Sequence, residues 1–155
     1  MTSASLRTHE TASDFEEFLA RYHDALKHQT QGDSAPLLSL WSRRDDVVFL
    51  APMGGYQHGF GEVSGLLAAV ALAQSYEAWH ADNLLTAVHD ETALTVEIEH
   101  ISRKPDPARH SDWPDEIALR VTTFYRRENG KWRLVMRHAN FFEELDFPPY
   151  TSQSA

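Results

Sequence analysis

Apolar residues recur at Phe15, Phe18, Leu19, Tyr22, Ala25 and Leu26, the i, i+3, i+4, i+7 spacing of one helix face. Ser13 and Glu16 stand as a capping box before that stripe, so the helix is expected to start there, with residues 1–12 as a disordered lead-in. It should end near QTQGD. Asp33 can cap a short second helix with Pro36 in its first turn and Leu37, Leu40 and Trp41 facing inward. DDVVFLAP is an apolar, β-rich run and reads as a strand, entering the Pro and Gly of a turn in APMGGYQHG. From Phe60 to Gln74 a third helix follows, whose alanines and glycines suggest close packing.

The second half changes period. WHADNLLTAVH and TALTVEIEHIS read as strands joined by the turn HDET, and IALRVTTFYRR and KWRLVMRHANFF as strands joined by the hairpin turn ENG. Between the pairs lies RKPDPARHSDWPDE, a long loop with three prolines. Helices come first and long strands follow, which indicates an α+β fold with helices covering one face of a curved antiparallel sheet. One domain is expected over residues 13–145, with 146–155 as a surface tail.

Composition narrows the function classes. The 155 residues carry a net charge of −9, which argues against nucleic acid or an anionic membrane as the main partner. There is no cysteine, so disulfides, zinc ribbons and thiol nucleophiles are excluded. No apolar run approaches the ~20 residues of a membrane span. MTSASLRTHETASD has no apolar core of a signal peptide, and the cytoplasm is the expected compartment. His80, His89 and His100 have no ligand-like spacing with each other, so no metal is expected, combinations distant in sequence being left open. No phosphate loop or Gly-x-Ser-x-Gly elbow is present, which speaks against nucleotide and serine-hydrolase chemistry, and no cofactor is expected.

The stretches ARYHDAL…QGD, LWSRRDDVVFLAPMGG, HGFGEV and ALRVTTFYRRENGKWRLVMRHAN resemble, in this order, the SnoaL-like family of the nuclear transport factor 2-like superfamily, which also holds ketosteroid isomerases and limonene epoxide hydrolases. The resemblance spans about Phe15 to Phe142. It implies a cone-shaped α+β barrel, a bent sheet wrapped round a long helix with a pocket at the open end, and a homodimer formed through the outer sheet face. It does not imply one reaction. The ketosteroid isomerase pattern needs a general-base Asp where this chain has Ala51, and a second Asp near Thr123; only its Tyr is matched, by Tyr22. Steroid-type isomerisation is therefore not expected.

What remains is a set of candidates for a hydrophobic pocket with a polar end. The last strand closes on Arg137, His138 and Asn140. Strict alternation puts Trp132, Leu134, Met136, His138 and Asn140 on one face and Arg133, Val135, Arg137 and Ala139 on the other, and a bulge would swap the sets. His138 suits proton transfer near neutral pH. Glu97 and Glu99 share a strand face, inward or toward solvent; if inward, Glu99 is the alternative base. Tyr22 completes the catalytic candidates. Asn140, Arg137 and Arg120 are candidates to hold substrate oxygen, and Trp41, Met53, Tyr56, His58 and Phe124 to wall the pocket. Two functions follow: a cofactor-independent lyase, isomerase or hydrolase acting on a small, partly hydrophobic organic molecule, or a non-catalytic ligand-binding or dimeric assembly domain.

Overall fold

The stripe beginning at Phe15 lies against the concave side of a sheet. In the computed structural model, which describes residues 3–143, the elements run α1 (Ser3–Thr30), α2 (Ala35–Leu40), β1 (Val48–Leu50), β2 (Gln57–His58), α3 (Phe60–Ala73), β3 (Ala78–Val88), β4 (Thr92–Ser102), β5 (Glu116–Glu128) and β6 (Lys131–Phe141). The six strands form one bent, open sheet in the order β2-β1-β6-β5-β4-β3. The long strands β3 to β6 are an antiparallel meander, while short β1 runs parallel to β6 and antiparallel to β2. Among the described residues no helix is long and apolar enough to cross a membrane.

Aromatic residues fasten α1 to the sheet. The Phe15 ring meets Tyr125 edge-on at 5.0 Å and Trp132 at 5.2 Å, and Phe18 and Tyr22 each meet Tyr125 at 5.8 Å. These edge-to-face pairs satisfy the ring quadrupoles while burying the helix stripe. The β5–β6 hairpin turns through Asn129 and Gly130, both with positive φ, as the two-residue turn that matches strand twist requires.

Several expectations need correction. The first helix begins at Ser3, not at the Ser13 capping box; residues 3–14 contain no Gly or Pro to stop it. DDVVFLAP yields only a three-residue strand. The glycines of α3 do not mark close packing, since a Cβ at Gly61 or Gly65 would meet open space. The expected tail, 146–155, lies outside the described residues.

The register of β6 sets up the site. Phe124 pairs with Met136 but Tyr125 pairs with Leu134, leaving Val135 as the extra residue of a β-bulge. Trp132 and Leu134 face the core before the bulge; beyond it Arg137 and Ala139 do, and all four are buried. Met136, His138 and Asn140 are turned to the outer face. Strand β4 shows the complementary inversion. Its buried set is Ala93, Thr95, Glu97, Glu99 and Ile101, while Leu94, Val96 and Ile98 lie half-exposed on the outside.

Candidate active site

The inward side chains of β4, β5 and β6 meet α1 around a cavity of about 80 Å³. Its walls are apolar: Leu26 from α1, Leu67 from α3, Trp79 and Ile101 from β3 and β4, Leu119 from β5 and Phe49 from β1. Glu99 and Arg137 supply its charged surface. At ~10–15 Å³ per water this space holds several waters, or a ligand group of a few heavy atoms.

Glu99 and Arg137 form a bidentate pair across β5: Arg137 Nη1 donates to Glu99 Oε1 at 2.7 Å and Nη2 to Oε2 at 2.7 Å. The Trp79 indole N–H adds a longer bond to Oε2, 3.4 Å. Arg137 Nη1 also donates to the Tyr22 hydroxyl at 2.8 Å, and that hydroxyl stands 3.4 Å from Thr123 Oγ1. Both charges are buried, and such a pair persists only with this fork geometry and further hydrogen bonds. Burial pushes the Tyr22 phenol up to about 12, against the lowering pull of Arg137. Burial also disfavours the Arg137 guanidinium, yet Glu99 and Tyr22 outweigh it and hold Arg137 above its ordinary range.

The pair is not saturated. A carboxylate has about four acceptor sites and a guanidinium five donors. Three acceptor sites of Glu99 are taken, leaving one on Oε1, and three donors of Arg137 are used, leaving two. A ligand oxygen can therefore meet an N–H of Arg137 while a ligand proton meets Glu99. Gln29 adds a second polar position in the lining: its Nε2 donates to Leu67 O at 2.8 Å, while its buried Oε1 has no partner among the described residues.

A second buried carboxylate lies one strand step away. Glu97 Oε1 is bonded to His23 Nε2 at 2.9 Å and accepts from Asn83 Nδ2 at 3.2 Å, and its Oε2 is buried without a partner. His23 is partly exposed and packs at 5.1 Å on Trp79.

The candidates of the sequence fall in different places. Glu99 and Arg137 line the cavity and Met53 stands at its rim, half-exposed. Tyr22 lies behind Arg137 and does not line the cavity; it orients the guanidinium. His138 and Asn140 are a correction: both are exposed on the outer face, because the Val135 bulge reverses the alternation before them. Arg120 and Phe124 share that outer face, Arg120 paired with Asn140 and Phe124 with Met136. Trp41 is buried in the core against Phe49 and does not itself line the cavity. Tyr56 and His58 are exposed in the β1–α3 connection, His58 donating its backbone N–H to Glu62. Ala51 and Thr123, at the positions of the missing acids, are both buried. Sequence reasoning missed Gln29 and Trp113 as lining residues. Gln29 falls among the apolar positions of the α1 stripe, a detectable signal, whereas Trp113 comes from a loop whose path the sequence does not encode locally.

Known structures share this fold. A ketosteroid isomerase-like protein from Erwinia carotovora atroseptica is 12% identical, with 85% of this chain and 96% of that one covered at a TM-score of 0.65. A candidate dehydratase of the NTF2-like family from Streptomyces avermitilis is 20% identical, with 87% and 99% covered at 0.66. A candidate calcium/calmodulin-dependent protein kinase type II association domain from Thiobacillus denitrificans is 17% identical, with 80% and 91% covered at 0.62. At these identities the likeness is one of fold, and the fold is the NTF2-like α+β cone. No curated protein matches the chain. The SnoaL-like domain model matches residues 16–142, from the α1 stripe to the residue after β6, and the chain belongs to the SnoaL-like family.

Proposed function

We propose that the protein is a cofactor-independent enzyme of the isomerase or lyase type, acting on a small, mostly apolar molecule that bears a carbonyl or similar oxygen. The observation that carries this reading is the Glu99–Arg137 pair in the wall of an apolar cavity. Arg137 offers its two unused N–H groups to the substrate oxygen, where negative charge develops. Glu99 accepts a proton from the adjacent carbon at its open Oε1 site. It then returns that proton to another carbon, giving an isomer, or to a departing hydroxyl, giving an alkene and water. Tyr22 keeps Arg137 in place.

The test is solvent exchange. A panel of small enones, lactones and β-hydroxy ketones is incubated in D₂O, and deuterium entry beside the oxygen-bearing carbon is followed by NMR. The wild type should catalyse exchange with at least one compound. Glu99→Asp, which keeps the buried charge, should slow it by about 10²–10⁴-fold, the usual worth of a positioned acid–base group. Exchange unaltered in Glu99→Asp, and equally in Glu99→Gln, overturns the assignment.

A second reading, ligand binding without reaction, is favoured by one fact: both Glu99 oxygens are already held by Arg137. It requires thermal stabilisation by a compound that shows no exchange. In either case we propose a homodimer through the outer sheet face, where Leu84 and Leu85 are 62% and 47% exposed beside Val96, Ile98 and Phe124. Sedimentation of the wild type against Leu85→Glu tests it.

A further inference from the structure

Two histidines twenty residues apart in sequence stand opposite each other in the sheet. His80 of β3 and His100 of β4 are direct cross-strand partners, and Asp82, two residues beyond His80, shares its face. The two imidazoles stack at 4.6 Å with their planes 14° apart. His100 Nε2 lies 3.0 Å from Asp82 Oδ2. Ligand atoms of all three side chains fall within 4.8 Å of one another. Strand β3 is the sheet edge, and His80 and Asp82 are exposed, so among the described residues of the chain nothing on the β3 side closes off the space in front of these atoms.

We propose that His80, Asp82 and His100 bind a divalent transition-metal ion such as Zn²⁺ at the edge of the sheet, on the face of β3 and β4 opposite the cavity pair. The donor set decides the class of ion. Two imidazole nitrogens and one carboxylate oxygen suit Zn²⁺, Co²⁺, Ni²⁺ or Cu²⁺, while Mg²⁺ and Ca²⁺ take oxygen ligands. Geometry agrees. With metal–ligand bonds of ~2.0–2.2 Å, neighbouring ligand atoms on one ion lie ~3.0–3.5 Å apart, so the His100–Asp82 spacing already fits. His80 needs only a side-chain adjustment to bring its nitrogen in from within 4.8 Å. A backbone register that pairs the two histidines fixes their separation without help from the ligand. Three protein ligands leave further coordination positions to water.

Titration of the metal-free chain with Co²⁺ and Zn²⁺, followed by cobalt absorption and by calorimetry, tests the site. One ion per chain is expected here, with no response to Mg²⁺. His80→Ala and His100→Ala should each weaken binding by more than the ~10–100-fold that loss of an outer hydrogen bond to a ligand costs. Asp82→Asn should weaken it less than either. Circular dichroism of each variant should match the wild type, since the altered side chains are at the surface. Unchanged stoichiometry and affinity in the His80→Ala/His100→Ala double variant would place the ion elsewhere and overturn the proposal, as would absence of binding to the wild type.

Discussion

Arg137 and Glu99 face each other across β5 and join strands β6 and β4 by two 2.7 Å hydrogen bonds beneath α1. Both side chains are buried, so each charge depends on the other. Arg137→Met leaves Glu99 with only the long Trp79 bond, and the cost should be about 3–5 kcal/mol, as for other buried pairs broken from one side. The double variant Arg137→Met/Glu99→Leu removes both charges and should recover a large part of that loss. Urea unfolding of the two singles and the double gives the coupling energy directly. A double variant no more stable than Arg137→Met would show that packing, not charge, sets the cost.

The exposed histidine at the end of β6 gives the opposite expectation. His138→Ala and Asn140→Ala should leave ligand-induced stabilisation unchanged, because neither side chain reaches the cavity. Monomer stability should move by no more than ~0.5 kcal/mol. Loss of ligand response in His138→Ala would require β6 to adopt the register without the bulge.

Those two residues show where the sequence misleads. The four long strands, their turns and the amphipathic face of α1 are legible because period and turn chemistry are local. The inward set of β6 is not, since one extra residue, Val135, reverses it and nothing in WRLVMRHAN marks the bulge. On β4 the apolar residues Leu94, Val96 and Ile98 suggest a core-facing set, yet Glu97 and Glu99 are the ones 1% exposed. A strand with its polar set inside and its apolar set outside lines a polar site on one face and offers a contact surface on the other. Hydrophobic alternation assumes the reverse. The His80–His100 pairing was equally hidden, since only the β3–β4 register brings the two together.

Filling the cavity separates its role from the charges around it. Ala139 is buried, lines the space, and lies between Arg137 and Phe141 on β6. Ala139→Leu should project into the cavity, costing at most ~1–3 kcal/mol of overpacking. Thermal-shift measurements should then find no stabilisation by compounds that raise the wild-type midpoint. Retained stabilisation would mean that those compounds bind outside the cavity.

Tyr22 yields a prediction in pH. Its phenol is raised to about 12 by burial, against ~10 in an unfolded chain. The neutral form is favoured in the folded state, so this contribution to stability is intact below pH ~10 and is lost progressively as pH rises toward the folded value. Two pKa units correspond to ~3 kcal/mol at the far end of that window. Tyr125 is also pushed up by burial and adds a loss of the same sign, so the wild type alone cannot isolate Tyr22. Tyr22→Phe can. Near pH 7 it should be less stable than the wild type by about 1–3 kcal/mol, because Arg137 Nη1 loses a buried acceptor. Between pH 10 and 12 its stability should fall less steeply, and the gap to the wild type should narrow. Parallel pH profiles for the two proteins would mean that the phenol titrates alike in the folded and unfolded chain.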